Sequence, residues 1–397
     1  NMKIAFLTAG GIAPCLSSSI GALIQNYNHV LPNSEMIGYL NGYKGLLLGK
    51  SIEFPDSVKN KYEILFEYGG SPIGNSRVKL TNLEDCVEKN YVKEGEDPLQ
   101  IAAEQLKKDK VDILHTIGGD DTNTMAAQLS GYLKNNGYNL TVVGLPKTVD
   151  NDVYPISQTL GAWTAAEQGA VFFENIVNEN TTSTRQLIIH EVMGRNCGWL
   201  TAQTAFDYRD RMKNREFIPE LLINQSRWDI DAVYIPESDF DFQTEVSRLK
   251  AVMDAKDGVN VFLSEGAGLE TIIREMEGRG QEIPKDAFGH VRLDDINPGK
   301  WFAKQLSGAL GAEKTLVQKS GYFARSAKPN NRDLQLIQKS AEIAVECAVA
   351  QNNGVVGKDI DNNNEIGLIE FARIKGGKPF DPNTDWFCSL LNEIGQK

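Results

Sequence analysis

Apolar and polar positions along this chain come in blocks. Short continuous apolar runs, the pattern of strands buried on both faces, occur in Lys3 to Gly11, Val111 to Ile117, Leu140 to Pro146, Arg185 to Met193, Asp231 to Glu237 and Gly258 to Gly268. Between them lie stretches with apolar residues at helical spacing. Asp97 to Lys108 has Asp97 as its cap and Pro98 in its first turn, and Gly161 to Val177 and Asp333 to Ala350 follow the same period. Strand and helix patterns that alternate in this way predict an α/β protein, with mostly parallel sheets and helices on both faces. Gly69 to Asn82, rich in Gly, Ser and Asn, reads as a surface loop. Arg209 to Trp228 is polar and without clear period, and reads as an inserted excursion.

The chemistry collects at strand ends, where open α/β sheets bind their ligands. Val111 to Ile117 runs into Gly118-Gly119-Asp120-Asp121-Thr122-Asn123, and the next strand runs into Pro146-Lys147-Thr148-Val149-Asp150-Asn151-Asp152. One cleft would then hold Asp120, Asp121, Lys147, Thr148, Asp150 and Asp152. Carboxylates for a divalent cation, a lysine for phosphoryl charge and a spare aspartate for a proton suit a metal-assisted reaction on phosphate. Each motif also has a plainer reading. The aspartates fit helix caps, and the second cluster fits a polar turn with Asx hydrogen bonds. Two neighbouring strand ends with complementary chemistry favour the functional reading.

Other residues extend this picture. The Gly10-Gly11 turn after the first strand precedes a helical stretch, which would present backbone N–H groups to a phosphate or form a tight turn only. It reads GGIAP, so the GxGxxG spacing of a dinucleotide-binding module is absent. Arg77 lies in the surface loop either as a solvated side chain or as a phosphate contact, Arg195 follows a strand as a candidate sugar-phosphate contact, and Glu237 ends another where it can meet sugar hydroxyls. Lys314, Lys319, Tyr322 and Arg325 form a basic and aromatic group before the last clear helix. His190, inside an apolar strand, reads as a core histidine.

Composition narrows the class. A chain of 397 residues is too long for one ordinary core and predicts two domains. Lys and Arg number 41 against 53 Asp and Glu, a net charge of −12, and no basic block is dense enough to follow nucleic acid or anionic lipid. The five cysteines are scattered, without CxxC or Cys/His metal spacing, and read as reduced thiols. No apolar run approaches the ~18 residues that span a bilayer, and no charged-then-apolar leader opens the sequence. The expectation is a cytoplasmic protein that binds neither nucleic acid nor membrane.

The ordered set GGDDTN, PKTVDND, EVMGRNCGWLTA, VYIPE and GYFAR resembles the phosphofructokinase family, and more narrowly its pyrophosphate-dependent branch. The resemblance implies two Rossmann-like domains with the active site in the cleft between them. The larger is expected over 1–161 with 324–375, carrying the phosphoryl-donor and Mg²⁺ site, and the smaller over 162–323 with 376–397, carrying the sugar-phosphate site. It also implies reversible transfer from pyrophosphate to the C1 hydroxyl of fructose 6-phosphate.

Residue by residue, the resemblance places Asp150 as general base, with Asp121 and Lys147 in the catalytic group and Asp120 at Mg²⁺. Gly11, Arg77 and Lys147 would bind the donor. Thr148, Val149, Asp150, Met193, Gly194, Arg195, Glu237, Tyr322, Phe323, Ala324 and Arg325 would bind the sugar phosphate. ATP-dependent relatives commonly have glycine at the positions of Asp121 and Lys147, so Asp121 would exclude the α-phosphate of ATP by charge and bulk. The same resemblance implies a homodimer or homotetramer. Arg185, Lys314 and Lys319 stay open as phosphate contacts. The alternatives are an ATP-dependent 6-phosphofructokinase and a non-catalytic regulatory subunit; the presence of Asp120 and Asp150 counts against the latter.

Overall fold

In a computed structural model, which describes residues 1–397 apart from Phe288 and His290 and the side chains of Leu293 and Asp294, the chain divides into two compact units. The first comprises Asn1–Thr164 and Arg325–Lys378, the second Ala165–Ala324 and Pro379–Lys397.

The first unit is built on a seven-stranded sheet. Its strands are β1 (Lys3–Thr8), β2 (Glu35–Tyr39), β3 (Ser51–Glu53), β4 (Ile113–Gly118) and β5 (Thr141–Pro146), with two late strands at Gly354–Asp359 and Glu365–Ile369. The spatial order runs from Glu365–Ile369 through Gly354–Asp359 to β5, β4, β1, β2 and β3, and only the two edge pairings are antiparallel. Alternation within β1 sets the layers. Ala5 and Leu7 join Leu114 and Val142 in a core covered by the helices Pro98–Lys108 and Asp120–Asn135. Phe6 faces the other way and stacks on His115, whose Nε2 meets the hydroxyl of Tyr27 on the helix Leu16–Val30. Helices therefore lie on both faces, and β4 and β5 are buried along their whole length. The Asp97 cap forms as the sequence predicts, its side chain accepting from the Leu99 N–H.

The second unit holds four parallel strands: β6 (Gln186–Val192), β7 (Ala232–Tyr234), β8 (Gly258–Ser264) and β9 (Lys314–Lys319), in the order β7, β8, β6, β9. Leu187 and Ile189 of β6 pack with Val259, Val261 and Leu263 of β8 under the helices Phe242–Lys256 and Pro298–Leu310. On the opposite face His190 is fully buried between Phe173 and Phe262 and bonded to the Ser320 hydroxyl at 2.7 Å. Burial holds its pKa down to about 3, so it is a neutral core residue.

Two expectations are corrected here. Arg209 to Lys213 do not belong to an irregular excursion; they end the helix Trp199–Lys213, anchored by buried Tyr208 and Met212 beneath an otherwise polar face. The strand expected over Asp231 to Glu237 stops at Tyr234, which leaves Glu237 in the turn beyond it.

Candidate active site

The ends of β5, β4 and β1 are neighbours in the first sheet, so the residues following them share one edge. After β1 the chain turns at Gly10, whose φ of +86° is strained for any residue with a side chain. In this turn one of the N–H groups is already taken. Gly10 N–H donates to the Ser76 carbonyl at 2.9 Å, and the following helix begins only at Leu16. The carbonyls of Gly10 and Gly11 accept from Asn75 Nδ2 at 3.1 and 3.3 Å, and Gly11 O also accepts from Lys147 Nζ at 2.5 Å. A Cβ on Gly10 would lie 2.9 Å from Lys147 Nζ, and one on Gly11 would lie 2.9 Å from an Arg77 nitrogen and 3.9 Å from Arg325 Nη1. Three cations thus converge on two glycines, an arrangement suited to a polyanionic donor.

The acids stand beside this cluster. Asp120 opens the helix Asp120–Asn135, but the N-cap position is held by Gly119, so neither aspartate serves as that cap. Asp120 lies under the backbone of Gly376, where an added Cβ would come 2.4 Å from its Oδ2. Asp121 forms an ion pair with Lys79 at 2.9 Å. In the loop after β5, Thr148 Oγ1 accepts from the Asp150 N–H at 3.0 Å, and Thr159 Oγ1 donates to the Thr148 carbonyl at 2.8 Å. Asn151 takes a positive φ of 55° and its Oδ1 accepts from Thr159 N–H, while Val149 is buried between half-buried Thr148 and Asp150. Hydrogen bonds of Thr148, Asn151 and Thr159 thus fix the loop that carries Lys147 and Asp150.

Electrostatics separate the members of the cluster. Lys147 is only 6% exposed, and its pKa falls to about 8, chiefly through burial and with help from the Arg77 charge. Burial raises the Asp152 carboxyl above its ordinary value, and the Asp120 charge pushes the same way. Among the described residues no three His, Cys, Asp or Glu side chains form a ready metal cage. Magnesium characteristically takes one or two carboxylates and completes its shell with phosphate oxygens and water, so Asp120 with Asp152 fits as its protein share.

The second unit carries the remaining expected residues. Met193, Gly194 and Arg195 leave β6 through a turn with Gly194 at φ +114°. Gly266 packs so closely on it that an added Cβ would fall 1.8 Å from the Arg195 carbonyl. Gly321 abuts Met193 and opens the short helix Gly321–Arg325, on which Tyr322 is exposed, Phe323 packs on Phe172 and Ala324 is buried. Arg195 is exposed, and Arg325 is counted with the first unit, beside Gly11. The Glu237 carboxylate accepts from Gly198 N–H at 2.9 and 3.0 Å and from Phe380 N–H at 2.8 Å, so it orders the start of the helix Trp199–Lys213 and the returning C-terminal segment.

The three open cations fall at different places. Arg185 precedes the start of β6, a strand-length from Met193, and donates to the carbonyls of Gly311 and Leu310 and to Asp254. Lys314 begins β9 and pairs with Glu179 at 3.6 Å, whereas Lys319 ends it 3.9 Å from Glu191. Sequence reasoning missed Lys79 and Asn75. The available signal was alternation: Val78 and Leu80 are buried while Arg77 and Lys79 are exposed.

The model of the family described as Phosphofructokinase matches residues 3–348. A Methylomonas methanica protein named pyrophosphate--fructose 6-phosphate 1-phosphotransferase is 59% identical over 394 residues, covering 99% of this chain and 96% of that protein. A protein of the same name from Propionibacterium freudenreichii subsp. shermanii is 55% identical over 394 residues, covering 99% and 98%. The crystal structure of a pyrophosphate-dependent phosphofructokinase from Nitrosospira multiformis superposes with a TM-score of 0.71 at 19% identity, over 100% of this chain and 92% of that one. At that identity the likeness speaks for the fold alone. With the family model spanning most of the sequence and relatives this similar over nearly its full length, the chain belongs to the phosphofructokinase family.

Proposed function

We infer that this chain is a pyrophosphate-dependent 6-phosphofructokinase, which transfers a phosphoryl group reversibly from pyrophosphate to the C1 hydroxyl of fructose 6-phosphate. The observation that carries the donor assignment is the buried Lys147, seated on the Gly11 carbonyl beside Arg77 and Arg325. Its relatives named for the same reaction support the assignment.

Phosphoryl transfer asks the protein mainly for alignment and charge neutralisation. Arg77 and Gly11 hold the diphosphate, and Lys147 offsets negative charge as the bridging P–O bond breaks and inorganic phosphate departs. The C1 oxygen forms the new P–O bond and gives its proton to the carboxylate of Asp150, whose backbone N–H donates to the Thr148 hydroxyl. Asp120, with Asp152 beside it, would hold Mg²⁺, which would supply positive charge to offset that of the donor phosphates. Met193, Gly194, Arg195, Tyr322 and Arg325 recognise the sugar phosphate, with Thr148 and Val149 lining the acceptor side, Phe323 and Ala324 supporting Tyr322, and Glu237 setting the backbone around them. The reading also places the enzyme in the cytoplasm as a homodimer or homotetramer, which light scattering on the purified protein measures directly.

The test is formation of fructose 1,6-bisphosphate from fructose 6-phosphate and Mg²⁺, with pyrophosphate and ATP in parallel and the reverse reaction run with phosphate. Turnover with pyrophosphate and reversal with phosphate are expected. Turnover with ATP alone would overturn the donor assignment, and silence with both would overturn the enzyme reading.

A further inference from the structure

We propose that Lys79 is a positioning residue that determines donor specificity: its ammonium holds the Asp121 carboxylate, 2.9 Å away, and offsets its charge. The inference rests on the pyrophosphate reading above. Buried Val78 and Leu80 anchor the loop, so Arg77 and Lys79 emerge on its outer side. Arg77 reaches the glycine turn, and Lys79 reaches the acid at the helix start. One short segment therefore supplies a cation to the donor and another to the residue that screens donors.

The pair has little to do for the fold. Its side chains are 54% and 62% exposed, and ion pairs that open to water stabilise proteins only slightly. Its consequence is local. An unpaired carboxylate at Asp121 would repel diphosphate as well as a nucleoside triphosphate, because both are polyanions. Pairing with Lys79 offsets part of that repulsion and biases the carboxylate's position, so exclusion depends more on the volume Asp121 fills. A diphosphate passes this filter and a longer polyphosphate does not. Lys79 acts through Asp121 and not on the donor itself.

A double-variant cycle with the full-length protein decides the matter, using wild type, Lys79→Met, Asp121→Gly and the combination, with Lys79→Arg as the conservative control. Lys79→Met is expected to raise the pyrophosphate KM about three- to tenfold, with kcat within about twofold and the melting temperature unchanged. Lys79→Arg should restore KM. In the Asp121→Gly background the same Lys79→Met change should move KM by less than about twofold. An equal rise in both backgrounds would show Lys79 acting independently of Asp121 and overturn the proposal, as would no rise in either. Titration calorimetry of Mg²⁺-pyrophosphate with the same variants reads the cycle without turnover. A wild type that binds pyrophosphate but makes no product would therefore sink the reaction assignment and still decide Lys79. A wild type that does not bind it would sink both.

Discussion

Lys147 Nζ donates to the carbonyl of Gly11, tying the loop after β5 to the turn after β1. The bond holds a buried ammonium at the proposed donor site, and it needs a glycine beside it, because any Cβ on Gly10 meets that nitrogen at 2.9 Å. Gly10→Ala therefore carries two penalties. The positive φ costs about 1–2 kcal/mol for a residue with a side chain, and the lysine must move. A displacement of about 1 Å in a reacting site can lower turnover ~100-fold. The expected outcome is a loss of kcat near that size with only a modest fall in melting temperature. A variant with wild-type kcat would refute the role given to this contact.

Removing both donor-selecting side chains should change the preference of the site. Asp121→Gly with Lys147→Gly deletes the carboxylate proposed to exclude ATP and the cation proposed to serve the departing phosphate. Pyrophosphate kcat/KM is expected to fall at least ~100-fold, the scale of losing one charge-stabilising group, while measurable ATP turnover appears. Unchanged pyrophosphate kinetics would refute both roles.

The pKa of Lys147, about 8 against an ordinary value near 10.5, makes activity and stability depend on pH in opposite directions. As pH rises through about 8 the folded protein loses this charge, so kcat/KM for pyrophosphate should fall with slope −1 on a logarithmic plot. Bound diphosphate favours the protonated amine, so kcat should hold to a higher pH. The stability sign follows from proton counts. Between about 8 and 10.5 the unfolded chain keeps a proton that the folded protein has released, so this group adds stability as pH rises, by up to roughly 3 kcal/mol in total. Unfolding of wild type compared with Lys147→Met across that range checks it. Parallel pH dependences would refute the shift.

Asp150→Asn keeps the size and the backbone bond to Thr148 Oγ1 but cannot accept the C1 proton. General-base groups contribute about 10²–10⁴-fold, so kcat should drop by that factor while both KM values stay within a fewfold. A loss under tenfold would move the base elsewhere.

Much of this was legible in the sequence because the strands are continuous apolar runs and the chemistry follows them. The motifs after β4 and β5 name Asp120, Asp121, Lys147 and Asp150 without any tertiary information. What stayed hidden depends on contacts distant in sequence. Nothing local says that Asn75 holds the Gly10 and Gly11 carbonyls, or that Lys79 pairs with Asp121. Glu237 reads as a sugar contact from its place after an apolar run, and nothing local shows that its carboxylate also accepts from Gly198 and from Phe380, the latter 143 residues away. The helix Trp199–Lys213 is not legible in the sequence, because its charged and polar residues obscure the buried face that runs from Trp199 to Met212.

Arg185 and Arg195 bracket the same strand and should respond differently. Arg185 precedes β6, and its guanidinium donates to the last carbonyls of the helix Pro298–Leu310, where a cation also meets the favourable end of the helix dipole. Losing these bonds should cost about 1–3 kcal/mol of stability and leave the sugar-phosphate KM of the folded enzyme near its wild-type value. Arg195 follows the strand in the Gly194 turn, and Arg195→Ala is expected to raise that KM at least ~10-fold, the weight of one charged hydrogen bond, with little change in melting temperature. The two readouts separate a residue that builds the scaffold from one that meets the ligand. If Arg185→Ala instead raised KM at unchanged stability, the open phosphate contact would belong to Arg185 after all, and its hydrogen bonds to Gly311 and Leu310 would have to be replaced when substrate binds.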